Sequence, residues 1–550
     1  MLKNVLYGLV LLGGIGASGM LTAAYRDPAR LPLKRPETVP VQQDTTKKIY
    51  LLKAKSVVNL QTDTLSERRF VGDVLFRQGT SLLSCDSASF NANTNIIEAW
   101  GNVHINQDDS VHTYSDQLLY RGNQRLATLT GNAKLTDSKI VLTSPTLNYD
   151  LNTKIGTYDQ GGKLVNGESV LTSREGIYYG EPKDVYFKKD VVVVDPGFTL
   201  GTDTLMYNTV TKIATIMAPT TINDGKMTMY VTSGYYNTEL GYGNFAQRPT
   251  IEDSTNTFTA NEIQTDKATG ISIATGNMIW RDTAQKVAVL ANYGIVNQNV
   301  KTVLATQKPV MLLEGKDDTL FVAADTLFSG IVPILKDSAA LAEDSARIAR
   351  GDTANINKSD TAEKRFLIAY HHVKIFSDSL QGVADSVYYS GVDSIFRLYR
   401  DPVLWANNNQ LTGDTIFLFT KNQKADKLLL DQNALIVNSP GPEMYNQIKG
   451  NTILGYFGDE KLDSMYVNGN AENIYYVQDD DSAFVSINRL LSANTRVYFE
   501  NGELERIVFV KEPEATMYPF TQMPEDQKKL PGFKWEIHRK PKSKYELIGQ

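Results

Sequence analysis

The chain has 550 residues, of which 42% are hydrophobic, and its 56 Lys and Arg against 62 Asp and Glu leave a net charge of −6. That balance excludes the basic footprint of a nucleic-acid binder. Cys85 is the single cysteine, so an intramolecular disulfide is impossible, and cysteine usage leaves the compartment open.

Residues 5–24 carry no charge. At about 1.5 Å per residue such a run just crosses a bilayer, and Ala17-Ser18-Gly19 and Thr22-Ala23-Ala24 are small-residue patterns that a signal peptidase accepts. Residues 1–24 are therefore expected to be a signal peptide or an N-terminal anchor, with the folded part exported to the periplasm. Lys3 alone precedes the run while Arg26, Arg30, Lys34 and Arg35 follow it, which runs against the positive-inside tendency. No cysteine lies near the cleavage region, so no lipoprotein anchor is expected. Pro28, Pro32, Pro36 and Pro40 make residues 25–48 an extended spacer.

From residue 49 the chain repeats. Ser115-Asp116-Gln117-Leu118-Leu119-Tyr120, Ser144-Pro145-Thr146-Leu147-Asn148-Tyr149 and Thr202-Asp203-Thr204-Leu205-Met206-Tyr207 share one form. The second position of successive copies falls at 86, 116, 145, 174 and 203. A period of 29 or 30 residues means stacked supersecondary units rather than one compact enzyme core. Each unit also holds an opening such as Gly72-Asp73-Val74, Gly101-Asn102-Val103-His104-Ile105 or Gly131-Asn132-Ala133. Alternation predicts strands with one buried and one wet face, placing Asp116, Leu118 and Tyr120 together and Gln117 and Leu119 opposite. Gly-Asn and Gly-Asp are read as turns.

The repeats are expected over 49–230, in weaker form over 231–332, and again over 366–510, with degraded copies near Ser233, Asn261 and Asn292 and two last, longer-spaced copies near Asn451 and Asn494. Residues 333–365 lose the alternation and are rich in charge, predicting an exposed helical or disordered insertion. Residues 511–550 form a basic, proline-rich tail whose Phe520, Phe533, Trp535 and Ile537 are too apolar for a linker, so it is expected to cap the last rung or dock on a partner.

Candidates for chemistry are few. The repeated Asp86, Asp116, Asp203, Asp325, Asp385 and Asp414 would serve a glycosidase or lyase only if clustered in a groove; a residue present in most rungs reads as architecture, bonding the preceding turn. His104 and His112 lie on adjacent strands, and His371 and His372 on opposite faces of one, so no metal site is expected. Cys85 reads as a buried spectator, and Trp100, Trp280 and Trp405 as core. No phosphate loop, nucleophile elbow or zinc spacing occurs, so neither an enzyme nor a cofactor is expected.

The order Gly-Asn-Val-x-Ile, polar stretch, Ser-Asp-x-Leu-x-Tyr, as in residues 101–105 and 115–120, resembles the OstA/LptA family of lipopolysaccharide-transport proteins. The resemblance is best over about 50–225 and returns around 260–330 and 384–437. It implies an all-β fold, a slotted jelly roll with one antiparallel rung added per repeat. The interior would be apolar along its length, the seam open, and the function that of a periplasmic bridge shielding lipid acyl chains between inner and outer membranes. The implied lipid contacts are the inward Val103, Ile105, Leu118, Tyr120, Leu147, Tyr149, Leu205 and Tyr207. The implied partners are lipopolysaccharide, other slotted-β proteins joined through edge strands near 49–59 and 496–510, and an outer-membrane translocon. A surface-exposed structural or adhesive β-solenoid remains the alternative, and a carboxylate-bearing solenoid enzyme a remoter one.

Overall fold

The computed structural model describes residues 48–549 apart from 62–65, 138, 316–317, 333–363, 407, 422–423, 459–460, 480 and 501–502. The expected leader, spacer and insertion at 1–24, 25–48 and 333–365 lie almost wholly outside the described residues. From Ile49 onward the chain is one unit of antiparallel strands in a single hydrogen-bonded sheet.

One rung shows how the sequence makes this. Strand Ile96–Gln107 buries alternate residues up to Ala99, bends at Gly101-Asn102, and continues in the same phase with Val103, Ile105 and Gln107 buried. Its pairing with Val111–Arg121 slips between Trp100 and Val103. Gly101 and Asn102 stand opposite the single residue Asp116, and the burial phase shifts on that partner strand, where Ser115 and Leu118 are both buried, so both halves turn the same apolar face inward. The same slip recurs between Thr130 and Ala133, Lys188 and Val191, and Thr275 and Met278. Elsewhere the bend splits the rung into two strands, as in Ile155–Tyr158 and Gly162–Asn166. Each rung thus contributes a segment to a first arm (96–100 here) and one to a second arm (103–107), and the arms face each other across the interior.

The bends form a spine, and this corrects two expectations. Gly101 and Asn102 lie within a strand at positive φ, +75° and +46°, rather than in a hairpin turn. The repeated Asp bonds not a preceding turn but the next bend: Asn102 Nδ2 donates to Asp86 Oδ2 at 2.9 Å, Asn132 Nδ2 to Asp116 Oδ2 at 2.8 Å, and Asn433 Nδ2 to Asp414 Oδ2 at 3.0 Å. A Cβ on Gly101 would sit 2.4 Å from the Asp86 carboxylate. Gly, Asn and Asp are therefore one joint, and Asp116 is exposed at that joint rather than sharing a face with Leu118 and Tyr120.

The facing arms enclose one continuous cluster running from Phe70 through Ile97, Leu129, Tyr149, Phe187, Phe245, Trp280, Leu367 and Leu404 to Val497. At about 1.5–3 kcal/mol per large apolar side chain buried, this interior holds the arms together. Trp280 belongs to it, whereas Trp100 points outward and is exposed.

Beyond residue 424 the strands lengthen to 15–18 residues, as in Lys424–Gly441, Met444–Gly458, Lys461–Gln478 and Phe484–Glu500. The array continues past 510 with Glu514–Pro519, paired to Phe484–Glu500. From there the tail runs back over the outer face of the second arm instead of capping the last rung. Two fully buried glutamines peg it. Gln447 donates to Lys528 O and accepts from Leu530 N, both at 2.8 Å; Gln410 donates to Lys534 O at 2.8 Å and accepts from Glu536 N at 2.6 Å. Met523 and Leu530 pack on Leu435, Val437, Ile474, Tyr476 and Ile487. The closing helix Lys544–Ile548 buries Leu547 against Val310 and Phe321.

Candidate functional site

All eight residues expected to line the interior do so, and none is more than 5% exposed. Val103, Ile105, Leu118, Tyr120, Leu147, Tyr149, Leu205 and Tyr207 belong to one cluster, while Gln117 is exposed and Leu119 half-buried on the other face.

The seam, expected to be open, is clasped through the first half of the array. Each Tyr that ends a repeat lays its ring in the interior and carries its hydroxyl to the mouth, where a polar residue ending the second arm of an earlier rung meets it. The Tyr149 hydroxyl donates to Gln107 Oε1 at 2.8 Å, and Gln107 Nε2 donates to Leu151 O at 2.7 Å. Tyr120 donates to Gln78, which donates to Gly122 O at 3.0 Å. Tyr178 and Lys183 both bond Asp137. Asn166 Nδ2 donates to Thr209 O at 2.9 Å and to the Tyr207 hydroxyl at 3.4 Å. Further along, Arg365 Nε reaches Asp282 Oδ2 at 3.2 Å, both side chains largely buried. Burial pushes the Tyr120 hydroxyl up to about 12 and raises Tyr149, Tyr178 and Tyr207 as well, so these phenols stay protonated as donors or neutral partners.

The clasp acceptors were missed, although the sequence carries their signal. Gln78, Gln107, Asp137 and Asn166 recur every 29 or 30 residues, in the period of the tyrosines but 41–42 residues before them.

The interior is not uniformly apolar. In the C-terminal third a cavity of about 600 Å³ has a mixed lining, apolar from Ile436, Ile448, Met465, Phe499 and Ile507 and polar from Asn409, Asn438, Asn446 and Asn473, with Trp535, Ile537 and Lys540 of the tail beside them. Ile448, Phe499 and Ile507 are only half-buried, in contrast to their counterparts nearer the N-terminus.

The other candidates are structural. His104 Nε2 lies 3.0 Å from His112 Nδ1 and the rings stack with Tyr114 on the outer face; burial lowers the basicity of His104. His371 and His372 sit at a bend, each on a spine carboxylate, Asp385 at 2.9 Å and Asp325 at 2.8 Å. Among the described residues no group of three His, Cys, Asp or Glu is placed to hold a metal. Cys85 is buried, its thiol pushed up to about 12 by desolvation. Trp405 is buried under the tail on the outer face of the second arm, not in the main interior. No described helix is long and apolar enough to cross a membrane.

A two-armed, single-sheet β array with an apolar interior defines a class of slotted β-repeat proteins. Residues 46–203 match the family described as OstA-like protein. Residues 322–424 match that described as LptA/(LptD N-terminal domain) LPS transport protein. These two segments of the chain are thus similar to the OstA/LptA kind of lipopolysaccharide-transport domain. Among solved structures it is similar to LptH from Pseudomonas aeruginosa, the LptA homologous periplasmic component of the lipopolysaccharide transport device. That likeness has 19% identity over 21% of this chain and 83% of that one, with a TM-score of 0.19. No curated protein matches.

Proposed function

We propose that this protein is a periplasmic carrier that shields lipopolysaccharide acyl chains between its two arms and bridges the inner and outer membranes by joining related slotted domains end to end. The observation that carries the reading is the unbroken apolar cluster from Phe70 to Val497. Leaving one acyl chain of 12–14 carbons in water costs roughly 10 kcal/mol at about 0.8 kcal/mol per CH₂. An interior of this kind removes that cost once the arms part. The eight inward residues from Val103 to Tyr207 are the proposed contacts, reached when the clasps open.

The ends support the bridging role. Among the described strands, Tyr50–Lys53 and Ser56–Gln61 pair only with Ser66–Gln78, and Glu503–Val510 and Glu514–Pro519 only with Phe484–Glu500. Such edges offer unpaired backbone groups to a further strand, and Tyr50, Leu51, Leu52, Val57 and Val58 are exposed beside the first of them. The proposed partners are lipopolysaccharide, slotted-β proteins at either end and an outer-membrane translocon. A photo-crosslinker at Leu118 or Leu205 in cells is expected to capture lipopolysaccharide and one at Gln117 not to. Equal labelling of both faces would refute the reading.

A further inference from the structure

The two arms differ on their outer faces. In the C-terminal third the tail lies over that of the second arm, while the outward side chains of the first arm are half-buried to exposed. The repeat fixes the inward apolar residues of every rung and leaves the outward ones open, so a change confined to the outer face is not needed for the fold.

Such a change occurs. Arg397, Phe417, Leu429, Leu454, Tyr466 and Arg496 stand side by side in one outward row of the register. Phe419, Lys427, Tyr456, Ser464, Tyr498 and Arg506 form the next row toward the mouth. Neither row holds a carboxylate, whereas the matching rows near the N-terminus are mixed and hold acids, Glu98 in the first and Asp150 in the second. Lys427 Nζ lies 5.8 Å from the centre of the Tyr456 ring, and the Arg496 and Arg506 guanidinium carbons lie 5.8 and 4.7 Å from those of Tyr466 and Tyr498. A ring steadies a cation without neutralising it, and among the described residues no carboxylate pairs with any of these three. Arg397 alone is paired, with Asp393. Six strands at a spacing of about 4.8 Å make this face roughly 24 Å long.

A contiguous apolar face rimmed by charge marks a contact site for protein or membrane. The core of a protein interface selects against lysine. A headgroup layer takes what stands here: aromatic rings with a polar tip at the boundary with the acyl chains, and long cationic side chains reaching the phosphates. We propose that the outer face of the first arm in the C-terminal third docks on an anionic lipid bilayer, with Phe417, Phe419 and the tyrosines at the headgroup boundary and Lys427, Arg496 and Arg506 on lipid phosphates. The proposal stands apart from the carrier reading, because it uses the outside of the arm and not the interior.

An environment-sensitive NBD label reads this face in the full chain, placed on Tyr456→Cys in a Cys85→Ala background. It is expected to brighten and shift to the blue with vesicles of mixed phosphatidylglycerol and phosphatidylcholine, and to ignore vesicles of phosphatidylcholine alone. The same label on Thr128→Cys, in the matching rows near the N-terminus, should respond to neither. Lys427→Gln, Arg496→Gln and Arg506→Gln together should weaken the binding read at position 456 by about 100-fold, with circular dichroism checking the fold. Raising the salt concentration should weaken it in the protein that keeps all three cations. A label at 456 that ignores anionic vesicles, responds alike to neutral ones, or keeps its response at high salt overturns the proposal, as does an equal response at 456 and 128. A vesicle-free signal that grows with protein concentration also overturns it and gives the face to a second copy. One that changes when residues 334–362 are removed overturns it in favour of that segment.

Discussion

Replacing Tyr149 by Phe removes one oxygen and nothing else from the clasp at Gln107. The ring, fully buried between the arms, keeps its packing, so the cavity penalty of about 3–5 kcal/mol that accompanies loss of a whole aromatic side chain does not arise. What is lost is the 2.8 Å bond to Gln107 Oε1. Gln107 is itself 3% exposed and still tied through Nε2 to Leu151 O, so its oxygen remains buried and unpaired, at a cost of about 1–3 kcal/mol. Local opening measures this better than a global melt, because long repeat arrays need not unfold in one step. Native-state hydrogen exchange of amides at 107–111 and 149–155 is expected to accelerate by about tenfold or more, with exchange near Leu404 unchanged. Exchange within a factor of two of the parent at both mouth segments would show that the hydroxyl does not hold the mouth closed.

Tyr120, with its hydroxyl pushed up to about 12 against an ordinary 10, adds stability that is complete below pH 10. It is lost as pH rises toward 12, because the unfolded chain gives up the proton first; the full loss is about 2–3 kcal/mol, read as a falling melting temperature that Tyr120→Phe makes shallower. Val57→Pro, on the free first edge, should abolish end-to-end assembly in light scattering while leaving the melting temperature nearly unchanged; complexes of the same size would refute edge pairing. Truncation after Pro519 uncovers Leu435, Val437, Ile474, Tyr476 and Ile487, and should increase dye binding to exposed apolar surface and promote aggregation; a truncated chain that stays soluble and binds no dye would show the tail to be dispensable.

Much of this fold was legible because the repeat states it several times. Leu118-Leu119-Tyr120 and its copies gave the strand, its inward face and the period, and the apolar members of the proposed site followed. Gly101-Asn102 was misread because positive φ serves a hairpin turn and a mid-strand bulge equally, and only the register of facing strands separates them. The clasps depend on contacts more than 40 residues apart, so Gln107 looked like any polar residue ending a strand. In the tail region alternation itself fails: 403–406 and 434–437 are buried on both faces, one by the interior and one by the tail, and nothing local distinguishes Gln410 and Gln447 as pegs.

The clasps also fix a lead between the arms. Gln107 ends strand Ile96–Gln107, yet its partner Tyr149 lies three strands on, in Ile140–Asp150, and the pairs at Gln78, Asp137 and Asn166 keep the same step. At about 4.8 Å per strand, the lips of the mouth are displaced by about 14 Å, like the threads of a screw. At the N-terminus the earliest first-arm strands therefore project without an opposing lip, and Val57, on the inward face opposite Phe70, is 50% exposed there. Such an end is a scarf joint rather than a butt joint. A neighbour seats fully only if its own arms are displaced by the same amount and in the same hand, so the pitch of one molecule sets which molecules can extend it and in which direction.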